Sequence, residues 1–106
     1  MTHITEIKTL EERLESNGWA IVEEEKEFVN RRGRVIGDID LLAVKYNVNG
    51  MNMLYIEEKS GHDRFSKARE QISKGMKYIK DTYNPDRIWG MYAHKQEIMK
   101  VEVYEK

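Results

Sequence analysis

Two apolar strands joined by one tight turn constrain this chain more than any other feature of it. Arg34 to Val44 reads as a strand whose second half, Ile39-Asp40-Leu41-Leu42-Ala43-Val44, is apolar almost throughout. Asn47-Val48-Asn49-Gly50 carries a hairpin turn signal, and Met51 to Lys59 reads as the returning strand. A strand that is apolar on both sides of its pleat belongs in the middle of a sheet, not at its edge.

The flanking segments supply the rest of a layered fold. Residues 4–17 read as an amphipathic helix, with Ile7, Leu10 and Leu14 at helical spacing, Thr2 or Thr5 as N-cap, and Asn17-Gly18 as its end. Trp19 to Phe28 reads as a strand leaving the core for solvent, and Asn30-Arg31-Arg32-Gly33 as a turn. Ser60-Gly61-His62-Asp63 reads as a loop before a long helix, Arg64 to Tyr83, with Phe65, Ala68, Ile72, Met76, Ile79 and Tyr83 on one face. Asn84-Pro85-Asp86 stops that helix, and Arg87 to Ala93 and Ile98 to Tyr104 read as two closing strands. The expected order is α-β-β-β-α-β-β, an α/β (α+β) fold in which two helices cover a mixed sheet. Neither linker nor repeat interrupts it, so residues 1–106 read as a single domain with one modest core. Trp19 and Trp89 sit in strand-like apolar patterns and are expected in that core.

Composition narrows the function. Lys and Arg number 18 against 19 Asp and Glu, so any grip on nucleic acid has to come from a local patch. Without cysteine there are no disulfides and no thiolate zinc sites. His3, His62 and His94 lack metal-ligand spacing and read as surface residues. No apolar run approaches the ~18 residues that span a membrane, and the first residues lack the basic start and apolar core of a signal peptide. The chain therefore reads as an intracellular, cytoplasmic protein.

The chemistry lies where polar residues interrupt the buried pair. Asp40 precedes the most apolar stretch of its strand, and an unpaired buried carboxylate costs several kcal/mol unless it is paired or binds a metal. Glu57 and Lys59 close the returning strand and share a face, about 6.5–7 Å apart, whereas Glu58 points to the other face. The hairpin allows Asp40 to lie beside Glu57. Two carboxylates and an ammonium at adjacent strand ends suit phosphodiester cleavage. The acids hold a hard ion such as Mg²⁺ (or Mn²⁺), and the lysine positions water or neutralises charge on the phosphate. Asp38 competes with Asp40 for the first position. Asp40 is favoured because the apolar run begins directly after it, which leaves Asp38 as a solvated neighbour. Arg31, Arg32 and Arg34 form the densest basic cluster, on an exposed turn where they can contact a phosphate backbone.

Gly37-Asp38-Ile39-Asp40-Leu41-Leu42-Ala43-Val44 and Leu54-Tyr55-Ile56-Glu57-Glu58-Lys59-Ser60 resemble the PD-(D/E)xK nucleases. The likeness is closest to archaeal Holliday-junction resolvases and small virus-type replication-repair nuclease domains, and it spans roughly residues 6 to 71. Ile39 stands where the name-giving proline would be, a departure many members share. The resemblance implies a restriction-endonuclease-like core, with Asp40 and Glu57 as metal ligands and Lys59 as the catalytic lysine. It also implies the Glu58 carbonyl as a further ligand, and a glutamate from the first helix. For that glutamate Glu6 is chosen over Glu11, which borders the apolar stripe from the other side. In the second helix Arg64, Lys67, Gln71, Lys74 and Tyr78 form a stripe flanking the active-site edge, with Lys67 and Lys74 facing DNA. Helicase-associated exonucleases of the superfamily carry Gln-x-x-x-Tyr here. This chain has Gln71, expected to orient Lys59 or the substrate as a catalytic residue, but Gly75 in place of the tyrosine, with Tyr78 a turn further on.

The expectation is a divalent-metal-dependent DNA endonuclease acting on branched DNA as a homodimer. Its rivals are a catalytically silent nucleic-acid-binding module on the same fold, and a nuclease that cuts single strands or works as an exonuclease.

Overall fold

The computed structural model describes residues 3–59 and 65–106. Its elements run α1 (His3–Ser16), β1 (Ala20–Val29), β2 (Val35–Asn47), β3 (Gly50–Glu58), α2 (Phe65–Tyr83), β4 (Arg87–His94) and β5 (Glu97–Glu105). The expected loop at Ser60–Asp63, Arg64, and the side chain of Phe65 lie outside the described residues. The five strands form one sheet in the order β1-β2-β3-β4-β5. Neighbours are antiparallel except β3 and β4, which run parallel because α2 is the crossover between them. The described residues thus form an α+β fold with a mixed five-stranded sheet and two helices.

Each helix buries its predicted stripe on a different face of the sheet. From α1, Ile7, Leu10 and Leu14 pack with Leu41, Ala43, Ile56 and Ala93. From α2, Ala68, Ile72, Met76 and Ile79 pack with Phe28, Ile39, Leu42, Met53, Tyr55, Ile88 and Tyr92. β2, β3 and β4 therefore have apolar neighbours above and below, which explains why their sequences do not alternate. Among the described residues no helix is long and apolar enough to cross a membrane.

Local chemistry sets the boundaries. α1 ends where Asn17 and Trp19 N–H groups both return to the Leu14 carbonyl. α2 ends at Asn84, which takes the left-handed conformation (φ 51) that asparagine tolerates. In the β2–β3 hairpin, Asn47 Oδ1 accepts the Asn49 N–H at 2.8 Å and Gly50 carries the positive φ of 106. Gly50 is needed twice over, since a Cβ there would fall 2.1 Å from Asp86 Oδ2.

Two expectations are corrected. β1 does not leave the core for solvent, because after five partly or fully exposed charged residues Phe28 returns to it and is buried against α2. Trp19 and Trp89 are half-buried: Trp19 packs against the α1-side core, but neither ring is enclosed in it. They meet edge to face at 6.5 Å, with Lys45 over one ring and Arg87 over the other, an amphipathic arrangement open to water.

Candidate metal centre

The sheet parts where the acids stand. β2 and β3 pair from Asn47↔Gly50 as far as Leu41↔Ile56 and no further. One more step in register would set Asp40 opposite Glu57. Instead the Glu58 N–H donates to Asp40 Oδ2 at 2.7 Å, and the Asp40 N–H lies 3.4 Å from Glu57 Oε2. Side-chain oxygens thus replace the missing rungs of the ladder. The far side of β2 is irregular at the same level. Glu25, between the pairs Glu24↔Leu41 and Lys26↔Ile39, has φ 53. Ile39 and Leu41, two residues apart, pack into opposite cores, so the strand's alternation breaks at Asp40. β3 stays anchored on its other side, with Glu57↔Tyr92 and Glu58↔Ala93 in register.

This kink gathers three carboxylates. One oxygen each from Asp38, Asp40 and Glu57 lies within 4.8 Å of the others. Glu57 is wholly buried and Asp40 almost so, whereas Asp38 is exposed. Burial, then the charge of Asp40, pushes the Glu57 carboxyl up to about 8. Its two oxygens differ. Oε2 accepts the Tyr55 hydroxyl at 2.8 Å, while Oε1 is buried with no hydrogen-bond partner. A buried carboxylate that keeps one oxygen unpartnered and is grouped with two further carboxylates is a donor set for a hard, oxygen-seeking cation, so the residues present fit a divalent ion.

Tyr55 sits on the α2 side of β3, and its hydroxyl needs room in the helix. Gly75 provides it, since a Cβ there would lie 2.4 Å from the tyrosine oxygen. Burial and the charge of Glu57 push the Tyr55 ionisation upward, so the phenol stays a neutral donor. Gly75 thus makes space for a tyrosine from the neighbouring strand.

Lys59 follows the last paired residue of β3, yet its main chain is fixed. Its N–H donates to Ala93 O at 2.9 Å, and its carbonyl lies 2.6 Å from His94 Nδ1. Its ammonium opposes the upward shift of Glu57. Gln71 presents its carbonyl 3.4 Å from the Tyr55 hydroxyl, and its side-chain oxygen is buried without a hydrogen-bond partner. The Glu58 side chain is buried, two residues from Ile56 of the α1-side core.

The helix acids lie elsewhere. Glu6 is held by Gln96, whose amide donates to both its carboxylate and its carbonyl, while Arg13 holds the Gln96 carbonyl at 3.0 Å. Glu11 lies beside Glu24, a proximity that raises Glu11 and lowers Glu24, and Lys8 pairs with Glu24 at 3.2 Å. Neither joins the carboxylate group formed by the described residues. The basic residues are exposed: Arg31, Arg32 and Arg34 on a turn ordered by Asn30 Oδ1, which accepts the Arg32 and Arg34 N–H groups, and Lys67 and Lys74 on α2.

No family model matches the chain, and no curated protein matches it. The site therefore stands on its geometry. Sequence reasoning undervalued Asp38 and missed Tyr55, Gly75 and His94. For Tyr55 a signal existed, because its i, i+2 spacing to Glu57 puts both on one face. For His94 there was none, since its partner lies 35 residues away.

Proposed function

We propose that this chain is a divalent-metal-dependent DNA endonuclease with a restriction-endonuclease-like core of the PD-(D/E)xK type, hydrolysing phosphodiester bonds in branched DNA as a homodimer. One observation carries the reading: buried Glu57, with an unpartnered oxygen, faces Asp40 and Asp38 and has Lys59 two residues along its strand. In this reading Asp38, Asp40 and Glu57 hold the ion. A bound Mg²⁺ or Mn²⁺ supplies the charge that polarises the scissile phosphate and lowers the pKa of a water. Tyr55 holds one oxygen of Glu57 and leaves the other for the ion. Lys59 sets its ammonium beside the phosphate, where negative charge grows as the P–O bond to the leaving oxygen breaks. Ala93 and His94, by fixing the Lys59 main chain, set where that charge stands.

The test is cleavage of labelled duplex, single-stranded, flap and four-way-junction DNA with Mg²⁺, Mn²⁺ or EDTA. Cleavage of branched DNA that EDTA abolishes is expected. Binding without cleavage under every metal condition would sink the enzyme reading and favour a silent binding module.

A further inference from the structure

The β1–β2 turn and α2 enclose a second feature that the proposed chemistry does not use. It is a cleft of about 380 Å³ whose lining includes Val29, Arg31, Ile36, Lys74, Tyr78 and the carboxylate-bearing Asp81, together with Asn30 and Lys77. We infer that this cleft holds one unstacked nucleotide of a single-stranded DNA segment, its phosphate on Arg31, Lys74 and Lys77 and its sugar or base on the apolar wall. The ligand class rests on the nuclease reading above, whereas the preference for a single strand comes from the cleft.

Charge supplies the first argument. Three cations face the cleft against the single carboxylate of Asp81, in a chain whose net charge is -1. A polyanion is therefore favoured here and not over the molecule as a whole. The wall chemistry supplies the second. Val29 and Ile36 are 48% and 40% exposed, apolar surface that phosphate contact alone does not explain. The Tyr78 ring is stacked on Phe28 at 4.7 Å, so an aromatic group at the wall is held rigid from behind. Cations beside a backed aromatic and aliphatic wall match the way single strands are held, by backbone charge and contact with exposed base faces. Shape supplies the third. The volume falls within the ~300–1,000 Å³ of pockets that enclose small ligands, which suits a single nucleotide better than a base-paired duplex.

The position fits a strand passing to the carboxylates. Ile36 lies two residues along β2 from Asp38, about 7 Å of strand. Lys74 lies three residues after Gln71 on α2, about 4.5 Å along its axis, and the Gln71 carbonyl meets Tyr55. A strand in the cleft would reach the metal centre within a nucleotide or two.

The experiment measures binding without cleavage, by fluorescence anisotropy in EDTA over a series of NaCl concentrations. The probes are a fluorescein-labelled oligothymidylate and a duplex of equal length. Arg31→Ala/Lys77→Ala should weaken oligothymidylate binding by about tenfold or more and reduce its salt slope by up to about 0.7, the value for one single-strand phosphate contact. Ile36→Asp, which puts an anion in the apolar wall, should weaken it comparably. Duplex binding should change less than oligothymidylate binding in both variants. A control that removes two cations elsewhere, Lys95→Ala/Lys100→Ala, should leave the preference for single strands unchanged. Equal losses on both probes, or losses no greater than the control's, would overturn the inference. Cleft-dependent single-strand binding in a protein that cuts nothing with Mg²⁺ or Mn²⁺ would uphold the cleft and defeat the nuclease reading instead.

Discussion

Asp40 and Lys59 lie close to the same centre but should respond to mutation in opposite ways. Asp40 shares its surroundings with Glu57 and Asp38, so in metal-free protein its charge crowds the site and helps to keep Glu57 protonated near neutral pH. Asp40→Asn should abolish cleavage and weaken Mn²⁺ binding, yet leave the metal-free melting temperature unchanged or slightly higher. Lys59→Ala should also abolish cleavage but retain Mn²⁺ binding, because its role is with the phosphate. Calorimetric titration and melts with and without metal would separate the two. A strong drop in the metal-free melting temperature of Asp40→Asn, with cleavage intact, would mean that the residue is a structural partner only. Tyr55→Phe keeps the ring and removes the bond to Glu57 Oε2. Losing one hydrogen bond to a charged group is worth ~1.5–3 kcal/mol. Mn²⁺ affinity should therefore fall by roughly tenfold or more, converting that range at 1.4 kcal/mol per decade. An unchanged affinity would show that Tyr55 only fills space.

At the scale of elements the same contact becomes a helix–strand constraint. Gly75→Ala places a Cβ 2.4 to 2.5 Å from three atoms of the Tyr55 ring and hydroxyl, so either α2 moves out or Tyr55 leaves Glu57. Overpacking of this kind costs about 1–3 kcal/mol. Urea denaturation should report a loss in that range despite the better helix propensity of alanine, and a gain in stability would contradict the packing described. How far such features were legible follows from the distance between their parts. The Ile7, Leu10, Leu14 stripe and the β2–β3 hairpin are local patterns, and the structure has both. The convergence of Asp40 and Glu57 followed from that hairpin. What eluded a sequence reading depends on partners brought together by the fold. Asp38 reaches the centre only because β2 parts from β3, next to a positive φ at Glu25. Glu6 is taken up by Gln96, 90 residues away. The half-buried tryptophans were misjudged for a related reason, since an apolar strand pattern does not reveal where the covering helix stops.

For the whole molecule, protonation links stability to the metal. The Glu57 carboxyl, raised to about 8 from the ordinary 4.5, binds a proton in the folded protein that the unfolded chain has already released between those values. The folded state thus carries more protons in that window, and metal-free stability falls as pH rises through it. Metal affinity runs the other way, because proton and cation compete for the same oxygens. Melts from pH 5 to 9 should show metal-free protein losing stability toward alkaline pH and Mg²⁺ restoring more of it at pH 9 than at pH 6. A flat metal-free profile would contradict the burial assigned to Glu57. The thickness of the molecule, 20 Å against 38 and 37 Å in its broad directions, leaves one layer of side chains between the sheet and each helix. In that single layer the Tyr55 phenol and any side chain at position 75 compete for the same space. Lineages that share this fold should accordingly treat the two positions as a single inherited character. A bulky residue gained at 75 should arrive with the loss of tyrosine at 55, and the acid at 57 should persist through the exchange.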